Sequence, residues 1–202
     1  MSRTSVNSLP IFAVVLAAGQ SRRYGSAKLL AELDGEALVA RATRLAASVC
    51  ADNSLLVVGH RADEIRRAAV AHRGAVVENR QYAAGIGSSI SLAVRTLADR
   101  AAAILLMLAD QPLITETHLR ALLAAWSGAD HEIIASAYAG VQGPPVLLPA
   151  GTFAELQLLS ADHGAQALLR SPRFTTRCIA CEAAATDIDT PDDLGALLQS
   201  AD

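Results

Sequence analysis

One stretch constrains this chain more than any other: residues 12 to 30, Phe-Ala-Val-Val-Leu-Ala-Ala-Gly-Gln-Ser-Arg-Arg-Tyr-Gly-Ser-Ala-Lys-Leu-Leu. It opens as an apolar run, Phe12 to Ala17, short enough for a strand buried on both faces. It then breaks at Ala18-Gly19 into a loop of small residues carrying Arg22, Arg23 and Lys28. Small residues let backbone amides approach a ligand, and three nearby cations supply the charge that a polyphosphate needs. A buried strand running straight into such a loop reads as a phosphate-holding device. Taken alone, the loop also reads as a flexible basic turn.

The rest of the chain alternates in the same way. Apolar runs at Leu55 to Gly59, Ala75 to Glu78 and Ala102 to Leu108 are expected strands. Between them, Ala37 to Ala51, Ala62 to His72 and Ser88 to Leu97 carry apolar residues at helical spacing. Asp63 and Glu64 stand early in the second of these and its arginines late, as the helix dipole favours. Thr115 to Trp126 is a further helix, with Thr115 placed to cap it. The βαβα order predicts a mostly parallel sheet with helices on both faces, a Rossmann-like three-layer α/β/α fold.

The second half is less regular. Glu132 to Tyr138, Val146 to Leu148 and Phe174 to Cys181 are expected strands, the first two separated by Gly140, Gly143, Pro144 and Pro145. Thr152 to Leu159 and Ala165 to Leu169 read as helices, and Pro191 to Gln199 as a closing one. No repeat or linker interrupts residues 11 to 202, which read as one domain behind a disordered or extended lead over residues 1 to 10.

Composition narrows the partners. Of 202 residues 52% are hydrophobic and the net charge is -3, so a core is assured and no general field favours nucleic acid or anionic membrane. No apolar run reaches the roughly 18 residues of a membrane span, and the N-terminal lead lacks a signal-type apolar core, so the expected location is cytoplasmic. Three cysteines imply no disulfide framework. Cys178 and Cys181 form a single Cys-x-x-Cys without a second pair or a nearby histidine, and read as buried thiols, with a zinc or redox role as the alternative.

In an open parallel sheet, ligands bind outside the carboxyl ends of the strands. Three segments fall there: Ala18 to Lys28, Asn79 to Ser89, and Asp110-Gln111-Pro112. Asp110 follows the most apolar strand. A carboxylate at a buried strand end is costly unless it meets a cation, which makes it a candidate Mg²⁺ ligand; a turn or helix cap ahead of Thr115 is the alternative. Asn79 to Ser89 places glycines and hydroxyls ahead of a helix. It suits an ordinary helix start capped by Ser88 and also the edge of a nucleotide.

The first loop is neither a Walker A loop, since Gly25 is followed by Ser26-Ala27-Lys28, nor a Rossmann fingerprint. Leu-Ala-Ala-Gly-x-Ser-x-Arg-x-Gly-x-x-Lys at 16 to 28 instead resembles the signature of the molybdenum cofactor cytidylyl- and guanylyltransferases and their nucleotidyltransferase relatives. Leu-Ala-Asp-Gln-Pro-Leu at 108 to 113 is similar to that family's metal-holding segment. Gly143-Pro-Pro-Val-Leu-Leu-Pro149, Asp162-His-Gly-Ala-Gln-Ala-Leu-Leu169 and Asp187-Ile-Asp-Thr-Pro-Asp-Asp-Leu194 resemble its later motifs. Two positions depart from the pattern. Leu148 replaces an aromatic residue, and Gln166 stands where an arginine contacting the acceptor is common.

The resemblance implies transfer of a nucleotidyl group from a nucleoside triphosphate to a phosphate-bearing acceptor, with release of pyrophosphate. It assigns Leu16, Ala17, Ala18, Gly19, Ser21, Arg22, Gly25, Lys28, Asn79, Gly85 and Ser88 to the nucleotide, and Arg22, Lys28 and Asp110 to catalysis. Asp110 and Asp189 would hold Mg²⁺, with Mn²⁺ as a substitute, while Gln111, Pro145, Asp162 and Gly164 would face the acceptor. Leu-Ala-Ala-Gly goes with cytidylyl transfer in this family, so the expected donor is CTP and the expected acceptor the molybdopterin cofactor, serving a molybdoenzyme or its chaperone. A guanylyltransferase, a sugar- or polyol-phosphate nucleotidyltransferase and a non-catalytic cofactor carrier are the alternatives.

Overall fold

The computed structural model describes residues 9–21, 23–25, 27–69, 72–161 and 164–199. The apolar runs become strands. They are β1 (Ile11–Ala17), β4 (Ser54–Val58), β5 (Ala75–Glu78), β6 (Ala103–Leu108), β7 (Glu132–Tyr138), β8 (Val141–Pro149) and β9 (Thr175–Ala180). They form one seven-stranded sheet in the order β5-β4-β1-β6-β8-β7-β9. All neighbours run parallel except β8, which is antiparallel to both β6 and β7. A two-stranded hairpin of β2 (Glu32–Leu33) and β3 (Glu36–Ala37) turns through Asp34-Gly35, a pair with positive φ at both residues.

Alternation along the strands feeds two cores. From β1, Phe12, Val14 and Leu16 face α3 (Ile86–Leu97), joined by Ile90, Val94 and Leu97. Ala13, Val15 and Ala17 face the other side. There α1 (Leu38–Cys50), α2 (Ala62–Ala68) and α4 (Glu116–Ala125) contribute Val39, Leu45, Ile65, Leu119 and Leu122. Helices thus cover both faces, and β1 lies between them, next to the central strand β6. A third, small cluster of Leu33, Leu38 and Ile188 lies apart, with Tyr24, Leu194 and Leu197 against it. The last two belong to α7 (Pro191–Gln199), while α5 (Phe153–Leu156) and α6 (Gln166–Leu169) are single short turns.

The topology explains where a ligand can sit. From β1 the chain steps outward to β4 and β5, then returns across β1 to β6, so the direction of winding reverses between β1 and β6. A crevice opens at such a reversal. An Ala109 amide bonded to the Leu16 carbonyl at 3.3 Å keeps the two strand ends together beneath it.

Three expectations need correcting. Cys178 and Cys181 are not buried thiols: Cys178 is exposed on the edge strand β9 and Cys181, just after it, is half-buried. Gly143, Pro144 and Pro145 do not separate strands; they lie inside β8, where its register with β7 shifts between Ala135 and Ser136. Proline and glycine are tolerated at such an irregularity because a ladder bond is already missing there. Ser88 does not cap α3, whose N-cap is Gly85. Ser88 stands one turn later and donates its hydroxyl to the Gly85 carbonyl at 2.7 Å. Thr115 does cap α4, accepting from the His118 amide. No helix among the described residues is long and apolar enough to cross a membrane.

His118 is buried at the base of α4, its Nε2 2.8 Å from Ser136 Oγ, which itself donates to the Pro145 carbonyl at 2.6 Å. Burial disfavours the charged ring and holds His118 below its ordinary 6.5. The unfolded chain therefore takes up this proton first. The neutral ring's contribution is complete above about pH 6.5 and shrinks as pH falls toward the lower folded value. Urea midpoints should drop between about pH 7.5 and 5.5, and His118→Gln should flatten part of that slope. Equal slopes in the two proteins would show that the ring protonates alike in both states.

Candidate functional site

A cleft of about 430 Å³ opens at the carboxyl ends of β1 and β6. Its floor is Leu16, Ala18 and Leu108. One wall is the loop after β1, with Gly19, Gln20, Ser21, Arg23 and Lys28; the other is Tyr82, Ala83, Gly85, Ile86 and Ser89 around the start of α3. Asp110 and Asp189 stand at the cation-bearing side. The three segments placed at strand ends by sequence thus meet in one crevice.

The loop has a built shape. Ser21 adopts a left-handed φ of 51°, and its carbonyl accepts from the Tyr24 amide at 3.0 Å, closing a tight turn. Gly25 follows at φ 75°, a conformation that costs glycine nothing and other residues more. The chain then enters a single 3₁₀ turn over Lys28–Leu30, which aims Lys28 back across the strand ends.

There Lys28 Nζ meets Asp110 Oδ2 at 2.7 Å and Asp189 Oδ1 at 3.0 Å. Asp189 Oδ2 also receives Arg23 at 2.7 Å. Lys28 is only 12% exposed and Arg23 73%, so the lysine is a fixed member of the cluster and the arginine a solvent-side one. Burial pulls the Lys28 pKa down, but Asp110 and then Asp189 outweigh it and the net direction is upward, so the ammonium stays charged. Asp187 joins from the same loop. It keeps more than a third of its surface in solvent, yet desolvation, with Asp110 and Asp189 nearby, pushes its carboxyl up to about 6.

The two aspartates suit a divalent cation. They present hard oxygen donors to one point, and that point already holds a positive charge, the Lys28 ammonium. Among the described residues no group of three or more His, Cys, Asp or Glu is spaced to enclose a metal. A pair of carboxylates, completed by water and substrate oxygens, is the arrangement Mg²⁺ usually takes.

Other expected residues lie elsewhere. Ala17 packs on the opposite face of the sheet, and Gly25 and Gly164 are outside the cleft lining. Asn79 is buried, donating to Ser88 Oγ at 2.8 Å and Ser89 Oγ at 2.9 Å and accepting from the Gln81 amide. It ties the end of β5 to the first turn of α3, while Ser89 rather than Ser88 reaches the cleft. Gln111 and Pro145 line a small recess under α1 with Leu38, Arg41 and Ala42. Gln111 donates to the Ala184 carbonyl at 2.8 Å and is 3.4 Å from that of Pro144. Arg22 and Asp162 lie outside the described residues. Sequence reasoning left out Arg23, Tyr82, Ile86 and Ser89 as site residues. Arg23 was readable, because the signature at 16 to 28 specifies its arginine at that position and not at Arg22; the other three sit within a marked segment in which the phase of the turn was not readable.

The sequence model of the MobA-like NTP transferase domain matches residues 13–177. The purine catabolism protein PucB of Bacillus subtilis is 30% identical over 195 residues, which is 91% of this chain and 93% of that protein. The crystal structure of Rv0371c from Mycobacterium tuberculosis superposes with a TM-score of 0.81 at 31% identity, over 96% of this chain and all of the other. A complex of Rv0371c with manganese is similar at 31% identity and a TM-score of 0.76, covering 95% and 99% of the two chains.

One packing contact shapes the cleft floor. A methyl added at Gly59 would stand 2.7 Å from Tyr82 Cβ and 2.9 Å from both Ala18 Cβ and the Ala18 carbonyl. Gly59→Ala must therefore push apart two cleft residues. It is expected to lower stability by about 1–3 kcal/mol and to weaken nucleoside triphosphate binding, read by thermal melting and by ligand titration. Unchanged binding in the variant would mean that neither neighbour touches the ligand.

Proposed function

The chain belongs to the MobA-like NTP transferase family and has that family's nucleotidyltransferase character, and we propose that it moves CMP from CTP to the phosphate of the molybdopterin cofactor. The observation that carries the reading is the Lys28 ammonium held between Asp110 and Asp189 beside the loop of small residues that lines the cleft. A cleft with a cation, two carboxylates and small residues answers the needs of phosphoryl transfer, which are alignment of two repelling anions and neutralisation of developing charge.

The acceptor phosphate is already anionic near neutral pH, so it needs no strong base to attack the α-phosphorus. The new oxygen–phosphorus bond forms as the bond to the bridging oxygen breaks, and that electron pair leaves with pyrophosphate. Lys28 and Arg23, with Arg22, supply positive charge to the triphosphate and the leaving group, and Gly19 and Ser21 line the cleft beside them, where their backbone can come close to the phosphates. A divalent ion, Mg²⁺ or Mn²⁺, would be held by Asp110 and Asp189 and would supply Lewis-acid stabilisation of the phosphate oxygens. The manganese complex of Rv0371c supports a divalent requirement.

CTP as donor rests on Ala18. Its side chain is buried in the cleft floor against Gly59 and Tyr82, where a glycine would leave more room. Molybdopterin as acceptor rests on the resemblance of residues 143–149 and 162–169 to the family's motifs.

Pyrophosphate release, measured with Mg²⁺, molybdopterin and each of CTP, GTP, ATP and UTP, should be fast with CTP alone. Turnover with GTP and not CTP would overturn the donor, and turnover only with a sugar or polyol phosphate the acceptor. Asp110→Ala should lower the rate by about 10²-fold or more while the melting curve persists. Unchanged release in that variant would sink the metal assignment.

A further inference from the structure

We propose that Asp193 is a positioning residue that sets the direction of Asp189, an inference that rests on Asp189 being a metal ligand. Asp189 lies in an irregular segment between a 3₁₀ turn and α7, where no regular ladder fixes its backbone. Its orientation therefore depends on the few hydrogen bonds the segment makes.

Those bonds fall on both sides of it. The preceding Ile188 is fully buried against Leu33 and Leu38, and its amide donates to the Asp110 carbonyl at 3.0 Å. This couples Asp189 to the residue that carries the other carboxylate. On the far side, Asp193 Oδ2 accepts from the Thr190 amide at 2.7 Å and from the Asp189 amide at 2.9 Å. Asp193 returns its own amide to Thr190 Oγ1 at 3.3 Å.

The Thr190–Asp193 exchange is a capping box at the start of α7. The bond to the Asp189 amide goes beyond it, because that residue precedes the cap and needs no partner for the helix to form. One carboxylate oxygen thus binds two successive amides and holds the peptide between them. With the backbone held on both sides, Asp189 is presented to the cluster, its two oxygens meeting Lys28 and Arg23. These amides draw the Asp193 carboxyl below its ordinary range. Among the described residues Asp193 makes no hydrogen bond or ion pair with Lys28 or Asp110, so its action on the metal passes through Asp189.

Both amides bind the same oxygen, so Asp193→Asn keeps an acceptor in place while removing the charge. Asp193→Ala removes the acceptor. Thr190→Ala weakens the capping box without touching the Asp189 bond. None of the α7 side chains is fully buried, so these changes leave the sheet's cores intact.

The test is Mn²⁺ titrated into the full chain and followed by electron paramagnetic resonance, with circular dichroism melts beside it. Asp193→Ala should bind Mn²⁺ about 10–100-fold more weakly, the range seen when a ligand's hydrogen-bonded support is lost. Asp193→Asn and Thr190→Ala should bind near wild type. Asp193→Ser, too short to reach the Asp189 amide, carries the same expectation as alanine should that variant not fold. Equal losses in Thr190→Ala and Asp193→Ala, or unchanged binding in the latter, would reduce Asp193 to a helix cap. A wild-type chain that binds no Mn²⁺ would overturn the metal reading of both aspartates, and the positioning role with it.

Discussion

Two carboxylates facing one point at the end of a hydrophobic sheet repel each other and lose water, so they require a cation. In this chain the requirement is met by Lys28, 82 residues before Asp110 and 161 before Asp189. The pair energies at such half-screened positions are modest singly. Their importance lies in what they connect. The loop after β1, the end of β6 and the segment before α7 have no secondary structure in common, and the ammonium is where their charged side chains converge. Arg23 adds a second, more exposed cation to the same carboxylate.

Much of this was legible in sequence because it is local. A short apolar run must be a buried strand, and four such runs alternating with amphipathic helices leave few topologies. The loop from Gly19 to Lys28 and the aspartate after β6 follow from the same pattern, since a strand's end dictates where the next residue emerges. The phase within a turn was not legible. Ser88 and Ser89 are chemically identical, and only the onset of α3 at Ile86 decides that the second lines the cleft while the first bonds backward to Gly85. Gly143-Pro144-Pro145 reads as a break, yet it continues β8 because the register shift there leaves no ladder bond for proline to lose.

Gln111 shows the limit of carrying a motif across by position. Its neighbour Asp110 faces the cleft, and the alternation of direction at the strand's end sends Gln111 toward α1. There it spends its amide on the Ala184 carbonyl, four residues before Ile188. A residue expected at the acceptor therefore helps hold the segment that bears Asp189. Asn79 behaves alike, its amide consumed by two serines at the start of α3. In both, the buried side-chain amide donates to protein acceptors because leaving it unpaired is costly, although Gln111 Oε1 is buried without a hydrogen-bond partner among the described residues.

The small cluster of Leu33, Leu38 and Ile188 has a dynamic consequence. Its apolar area is a fraction of that beneath the sheet, yet Tyr24 and the first turn of α7 both depend on it. A cluster this small opens at a lower free energy than the strands, with Leu38 kept in place by the rest of α1 while Tyr24 and the segment around Ile188 come away from it. The turn that carries Arg23 and the segment that carries Asp189 would then exchange their amide hydrogens together, well ahead of β1 and β6. Entry and departure of a ligand can follow this local melting, leaving the sheet undisturbed.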